Sequence, residues 1–378
     1  MKEQLTRNEC SAMRGIAILA IILHNYCHWI NGIVKENEYT WQLERCNQLW
    51  QVLQNPDYLL PVHLVSFFGH YGVPVFLFLS GFGLVKKYEQ SSMPEVGIWR
   101  FVRYNYLKLF RILIVGFVAF TMLDAITPNM HRYLWHEVVA ILGMFANVLE
   151  NPSKVIWPGP YWYFSLTLQL YIVYRLLLYR WRHWGVVVAL IAGCWLWQLS
   201  CQNDMELLDR IRYNFIGGML PFGMGILFAR IPTLGIKCSS TSEAAKPSAH
   251  TGNKTFFDKR SGKAERPYWE YVVALLVSIA LIVAMSFWYQ SWLWVPAFIV
   301  VGTIALVKVM PNWMINQLVW VGSISAAMFV AHPIVRKIFI NVARRQDPYD
   351  GLILYIVATI ALSWLVKLLI DRIPKPKL

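Results

Sequence analysis

His24 and His28 stand four residues apart in the apolar run MRGIAILAIILHNYCHWI (13–30), which opens on Arg14. Residues at that spacing share a helix face. An ionisable group deep in an apolar helix is costly, and such groups are usually functional. At about 1.5 Å per residue, His24 lies roughly 15 Å beyond Arg14, near the middle of a bilayer. Histidine titrates near neutrality and suits general-base chemistry, so His24 is the candidate catalytic residue. Arg14 reads either as a snorkelling anchor or as a substrate contact. His28 reads either as an outer-interface residue or as a second substrate contact. Two histidines at this spacing are also half a metal site, but a catalytic zinc needs about three protein ligands. No Asp or Glu lies deep in any apolar run, so no metal is expected. The same absence argues against a paired-carboxylate hydrolase.

Other stretches carry further candidates. GHYGVPVFLFLSGFGL (69–84) contributes His70 as a partner for the first helix and Ser80 as a ligand contact or a bond back to its own helix. Its Gly69, Gly72, Gly81 and Gly83 permit close helix approach, and Pro74 is a local helix breaker. WRFVRYNYLKLFRI (99–112) gathers Arg100, Arg103, Lys108 and Arg111. These are positive-inside anchors or a cradle for a phosphorylated cytoplasmic donor. WPGPYWYFSLTLQLY (157–171) sets Trp157, Tyr161 and Trp162 at an interface, as an aromatic belt or as platforms for a sugar face. VGSISAAMFVAHPIVRK (321–337) brings His332, ahead of Pro333, toward the outer end of a helix, in a structural or substrate-binding role.

The elements that must position these residues are membrane helices. Of 378 residues, 57% are hydrophobic and only 15% charged, with a mean hydropathy of +0.43; a soluble domain carries about 25% charged residues. The apolar residues fall in blocks of about 20, the length that crosses a hydrocarbon core. An all-α bundle of about ten spans is expected, roughly 12–31, 61–85, 105–126, 159–179, 184–200, 212–230, 268–287, 292–309, 317–338 and 350–370. The block at 136–149 is short enough to be an interfacial or re-entrant helix. Neither a cleavable leader before the first span nor an appended soluble domain is expected, and residues 1–378 read as one membrane domain. The basic loop at about 231–267 is Ser-, Gly- and Ala-rich and reads as a flexible cytoplasmic linker. The positive charge places both termini in the cytoplasm. The net charge of +14 fits anionic lipid headgroups, and nothing points to nucleic acid. Six scattered cysteines make no metal or disulfide pattern.

The order Arg14-Gly15…His24, GxxGVxxFxxxSG (69–81), Phe101-Val102-Arg103, Trp162-Tyr163-Phe164-Ser165 and Gly322…Ser325…His332-Pro333 resembles the acyltransferase-3 family of bacterial integral-membrane acyltransferases over roughly residues 7–340. The resemblance implies transfer of an acyl group, acetyl or succinyl, from cytoplasmic acyl-CoA to a hydroxyl of a carbohydrate or lipid-linked glycan. It implies a multi-pass protein of the inner membrane, with acyl-CoA as co-substrate and no bound cofactor. Arg14 matches the family's first-span Arg, His24 its essential His, Ser80 and Gly81 its Ser-Gly, and Arg103 its basic residue. The chain departs from the pattern in the Arg14–His24 spacing, one residue shorter, and at Ser11, Asn105, Lys108, Arg111 and Ala326. The rival reading from the residues alone is a transporter or flippase for a polar or lipid-linked sugar, using the same histidines.

Overall fold

The computed structural model describes residues 5–92, 94–128, 130–230, 268–343 and 347–378. The linker expected at 231–267 lies outside them. Among the described residues the chain is helical, without strands: α1 (Arg7–Cys27), α2 (Leu43–Gln54), α3 (Leu60–Phe68), α4 (Gly72–Tyr88), α5 (Ile98–Ile126), α6 (Trp135–Leu142), α7 (Pro152–Val155) and α8 (Trp162–Val173) form the first half. The second half holds α9 (Trp184–Ser200), α10 (Met205–Arg212), α11 (Phe215–Arg230), α12 (Tyr268–Met285), α13 (Tyr289–Trp292), α14 (Val295–Val309), α15 (Asn312–Ala343) and α16 (Pro348–Arg372).

Each of the ten expected segments coincides with a helix. Six are long and apolar enough to cross a membrane: α1, the stretch Leu60–Tyr88 that contains α3 and α4, α5, α12, Asn312–Ile340 within α15, and α16. Three more apolar helices, α9, α11 and α14, are shorter. The protein is a multi-pass membrane protein. The block at 136–149 resolves into the eight-residue α6 and a short 3-10 turn. At about 1.5 Å per residue α6 is only ~12 Å long, too short to cross.

α1 is the centre of the bundle, packed on α15, α3, α4 and α14. It starts at a capping box, in which Thr6 Oγ1 accepts from the Glu9 N–H at 3.2 Å and Glu9 accepts from the Thr6 N–H at 2.7 Å. Glu9 also receives the Lys308 ammonium at 2.7 Å, tying α1 to α14. At its other end the chain turns through Gly32, whose φ of 78° is left-handed backbone that glycine adopts without strain.

Leu60–Tyr88 is one span broken in the middle. Between α3 and α4 the backbone tightens into a 3-10 turn at Gly69–Tyr71. Pro74 accounts for it: a proline supplies no N–H to the carbonyl four residues earlier, here His70, and its ring crowds that carbonyl. The break turns His70 toward α1. Gly69 permits the contact, since a Cβ there would sit 2.7 Å from both the Ala20 carbonyl oxygen and the His24 Cβ. Gly69→Ala is therefore expected to destabilise the protein by about 1–3 kcal/mol and to displace His24. Thermal unfolding in detergent checks this, with Gly83→Ala, which faces open space, expected to change little.

Candidate active site

At the His24 end of α1 lies a cavity of about 480 Å³, walled by α1, α4, α8, α15 and the loops around residues 28–40 and 153–160. His24, His28 and His70 all line it. The ring centres of His28 and His70 lie 5.5 and 5.6 Å from that of His24. His24 is buried, and its Nδ1 sits 2.8 Å from the Ser66 carbonyl oxygen. A carbonyl only accepts, so Nδ1 carries the hydrogen and donates it. In neutral His24, Nε2 then holds the lone pair.

Sequence reasoning found no carboxylate for this site, because it comes from a loop. After the turn at Gly32 the chain folds back, and Glu36 meets His28, with Oε2 2.6 Å from Nδ1. The loop is fastened to α3 by two bonds: the Val34 N–H donates to His63 Nδ1 at 3.1 Å, and Ser66 Oγ donates to the Val34 carbonyl at 2.7 Å. Ser66 thus orients His24 with its backbone and places the Glu36 loop with its side chain. Burial pushes the Glu36 carboxyl up, but the hydrogen bond from His28 and the neighbouring histidines outweigh it and hold Glu36 down at about 2. An ionised carboxylate only accepts, so His28 donates from Nδ1. Glu38, two residues on, is pushed up to about 8 by burial and by repulsion from Glu36.

One ring nitrogen each from His24 and His28 and one Glu36 oxygen lie within 4.8 Å of one another. Among the described residues this is the one group of three His, Cys, Asp or Glu close enough to share a cation.

Arg336 was the other residue missed. It is buried on α15, one helical turn past His332, and lines the same cavity. Its Nη1 donates to Asn25 Oδ1 at 2.9 Å, and its guanidinium lies 5.0 Å from the Trp29 ring centre. Among the described residues no carboxylate forms an ion pair with it. The i, i+4 step from His332 was the available signal.

Aromatic rings form a further part of the wall. Tyr39 stacks on Tyr213 at 4.1 Å with the planes 1° apart, and Trp162 meets both edge-on at 5.5 and 5.8 Å. Trp157 and Tyr163 continue the lining. Rings of this kind present an apolar face and a polar tip, the surface on which a sugar ring packs.

The remaining candidates are spread out. Ser80 and Thr167 hydrogen-bond with the Tyr163 hydroxyl and Arg14 acts on it electrostatically, while neither Arg14 nor Ser80 lines the cavity. Tyr161 is buried outside the cavity lining, and its hydroxyl donates to the Val330 carbonyl at 3.1 Å, fixing α15. His332 is fully buried behind Phe329, with Nδ1 3.2 Å from the Met328 carbonyl oxygen. Arg100, Arg103 and Lys108 are exposed near the start of α5, away from the cavity. Arg111 is engaged: its Nε donates to the Ile370 carbonyl at 2.9 Å, and Nη2 lies 3.3 Å from Asp371 Oδ1, tying α5 to α16.

The family model for an acyltransferase domain matches residues 8–368, nearly the whole chain. No curated protein matches the chain, and no solved structure does. Membrane helices around a buried histidine cavity, under a family match of this extent, place the chain in the acyltransferase-3 family.

Proposed function

We propose that the protein transfers an acyl group, acetyl or succinyl, from cytoplasmic acyl-CoA to a hydroxyl of a carbohydrate or cell-envelope glycan, with His24 as general base. The observation that carries this reading is the Ser66 carbonyl on His24 Nδ1, which leaves Nε2 as the proton acceptor in an aromatic-walled cavity. Nε2 takes the proton of the acceptor hydroxyl as its oxygen bonds to the thioester carbon. The carbon–sulfur bond then breaks, and the departing thiolate takes the proton back from His24. The products are an ester and free CoA. As the tetrahedral intermediate forms, negative charge gathers on the former carbonyl oxygen, and the buried Arg336 guanidinium, which has no ion-pair partner among the described residues, meets it.

The donor approaches from the other side. Arg14 on α1 and Ser80 on α4, both interacting with the cavity residue Tyr163, line the donor's approach. The exposed Arg100, Arg103 and Lys108 serve as phosphate contacts at the cytoplasmic mouth. In this orientation both termini are cytoplasmic, the aromatic cavity faces outward, and the membrane is the bacterial inner membrane.

Membranes containing the protein, given acetyl-CoA or succinyl-CoA labelled in the acyl group together with a cell-envelope glycan extract, are expected to place label on carbohydrate. Mass spectrometry then locates the new ester. Uptake or movement of sugar across vesicles without modification would replace this reading with the transporter.

A further inference from the structure

We propose that His24, His28 and Glu36 form a binding site for a divalent cation of the Zn²⁺ class. Three features of the cluster support it. The ligand set is two imidazoles and one carboxylate, a set found at three-ligand zinc centres that keep one position open, and imidazole favours Zn²⁺, Co²⁺ or Ni²⁺ over Mg²⁺ or Ca²⁺. The histidines are one turn apart on one helix, and the carboxylate arrives on a loop fastened to α3 by the Val34–His63 and Ser66–Val34 bonds. His24 also has the supporting contact that ligating histidines ordinarily have: its Nδ1–H is held by a backbone carbonyl, which leaves Nε2 for the ion.

The distances suit the insertion of an ion. Ligand atoms around a tetrahedral zinc are about 3.3 Å apart, given bonds of roughly 2.0–2.1 Å. Here the His28–Glu36 pair is at 2.6 Å and the whole set lies within 4.8 Å. The ion takes the place of the hydrogen shared by His28 and Glu36; this proton is released from Nδ1, and the ring ligates as neutral imidazole carrying its hydrogen on Nε2. The exchange spreads that pair and draws His24 in by side-chain rotation. The cavity supplies room for a fourth ligand, water or a hydroxyl.

Binding has a consequence that rests on the function proposed above. An ion on His24 Nε2 occupies the lone pair that accepts the acceptor's proton, so Zn²⁺ inhibits acyl transfer reversibly.

The test uses the full-length protein purified in detergent. Co²⁺ alone is followed by its visible absorption, and Zn²⁺ alone by calorimetry. One ion per protein is expected, with affinity reduced at least tenfold in both His28→Ala and Glu36→Gln. His131→Ala and His136→Ala, changed outside the cluster, are expected to leave it intact. Monodisperse elution of each variant establishes that the fold survives. No saturable binding, or binding undiminished in both His28→Ala and Glu36→Gln, overturns the site. In parallel, Zn²⁺ is added to the acyl-transfer assay and then removed with a chelator. Inhibition that the chelator relieves supports both readings. Metal binding that is lost in the cluster variants but leaves transfer untouched keeps the metal site and removes His24 as the base.

Discussion

His24→Ala is expected to lower acyl transfer by about 10²–10⁴-fold, the usual contribution of a positioned general base, while the amount of protein in the membrane stays unchanged. The size of the loss follows from the site. His28 is bonded to Glu36 through its own Nδ1, and so is held in a different orientation from His24. His70 comes from the break in Leu60–Tyr88, on another element, with its ring centre 5.6 Å from that of His24 and its plane tilted by 60°. Neither replaces a lone pair at the His24 Nε2 position. Alanine also leaves the buried Ser66 carbonyl without its donor, which costs about 1–3 kcal/mol of stability. His24→Gln separates the two effects, because a glutamine amide can donate to the Ser66 carbonyl but is no base. The glutamine variant is expected to match the alanine variant in rate and to exceed it in thermal stability. Initial rates with labelled acyl-CoA, at matched protein levels, decide the matter. Near-normal transfer in either variant would remove His24 from the mechanism.

What the sequence made legible was periodic and local. Blocks of apolar residues marked the helices, and the i, i+4 spacing put His24 and His28 on one face, where the structure has them beside the cavity. His70 was readable because Gly69 and Pro74 flank it, and those two residues account for both the break and the close approach to α1. Glu36 was not readable as a site residue. Its place depends on a left-handed turn at Gly32 and on bonds from Val34 to a histidine and a serine about thirty residues away, and no local pattern encodes such a pairing. Tyr161 shows the converse. Its type and neighbourhood suggested a sugar platform, yet its hydroxyl is used to hold α15, while Tyr39 and Tyr213, from loops far apart in sequence, supply the stacked pair. The basic run on α5 divides in the same way: Arg111 ties two helices together, and Arg100, Arg103 and Lys108 are left exposed. Spacing alone does not separate a charge that binds its own protein from one that faces outward.

Arg336→Gln is expected to reduce kcat by about 10²–10³-fold, the loss seen when one donor to a developing oxyanion is removed. KM for the acyl donor should change much less, because the charge that Arg336 meets exists in the transition state and not in the bound thioester. Arg336→Lys should recover part of the rate, since it restores a positive charge without the planar fork. Removing a buried charge without an ion-pair partner gives a second signature. Among the described residues Arg336 has the neutral Asn25 side-chain oxygen and the face of Trp29, and no carboxylate ion pair, to offset its desolvation. A hydrogen bond to a charged group contributes about 1.5–3 kcal/mol and a cation–π contact about 0.5–2, whereas the effective cost of burying an ion is several kcal/mol. Arg336→Met, which keeps an apolar stem of similar reach, is therefore expected to leave the unfolding midpoint unchanged or raise it while transfer collapses. A residue kept at the expense of stability is the mark of a group retained for chemistry. If Arg336→Met instead lowers the midpoint sharply and the surviving folded protein transfers acyl groups at the native rate, then Arg336 is structural, and the oxyanion must be met by another donor.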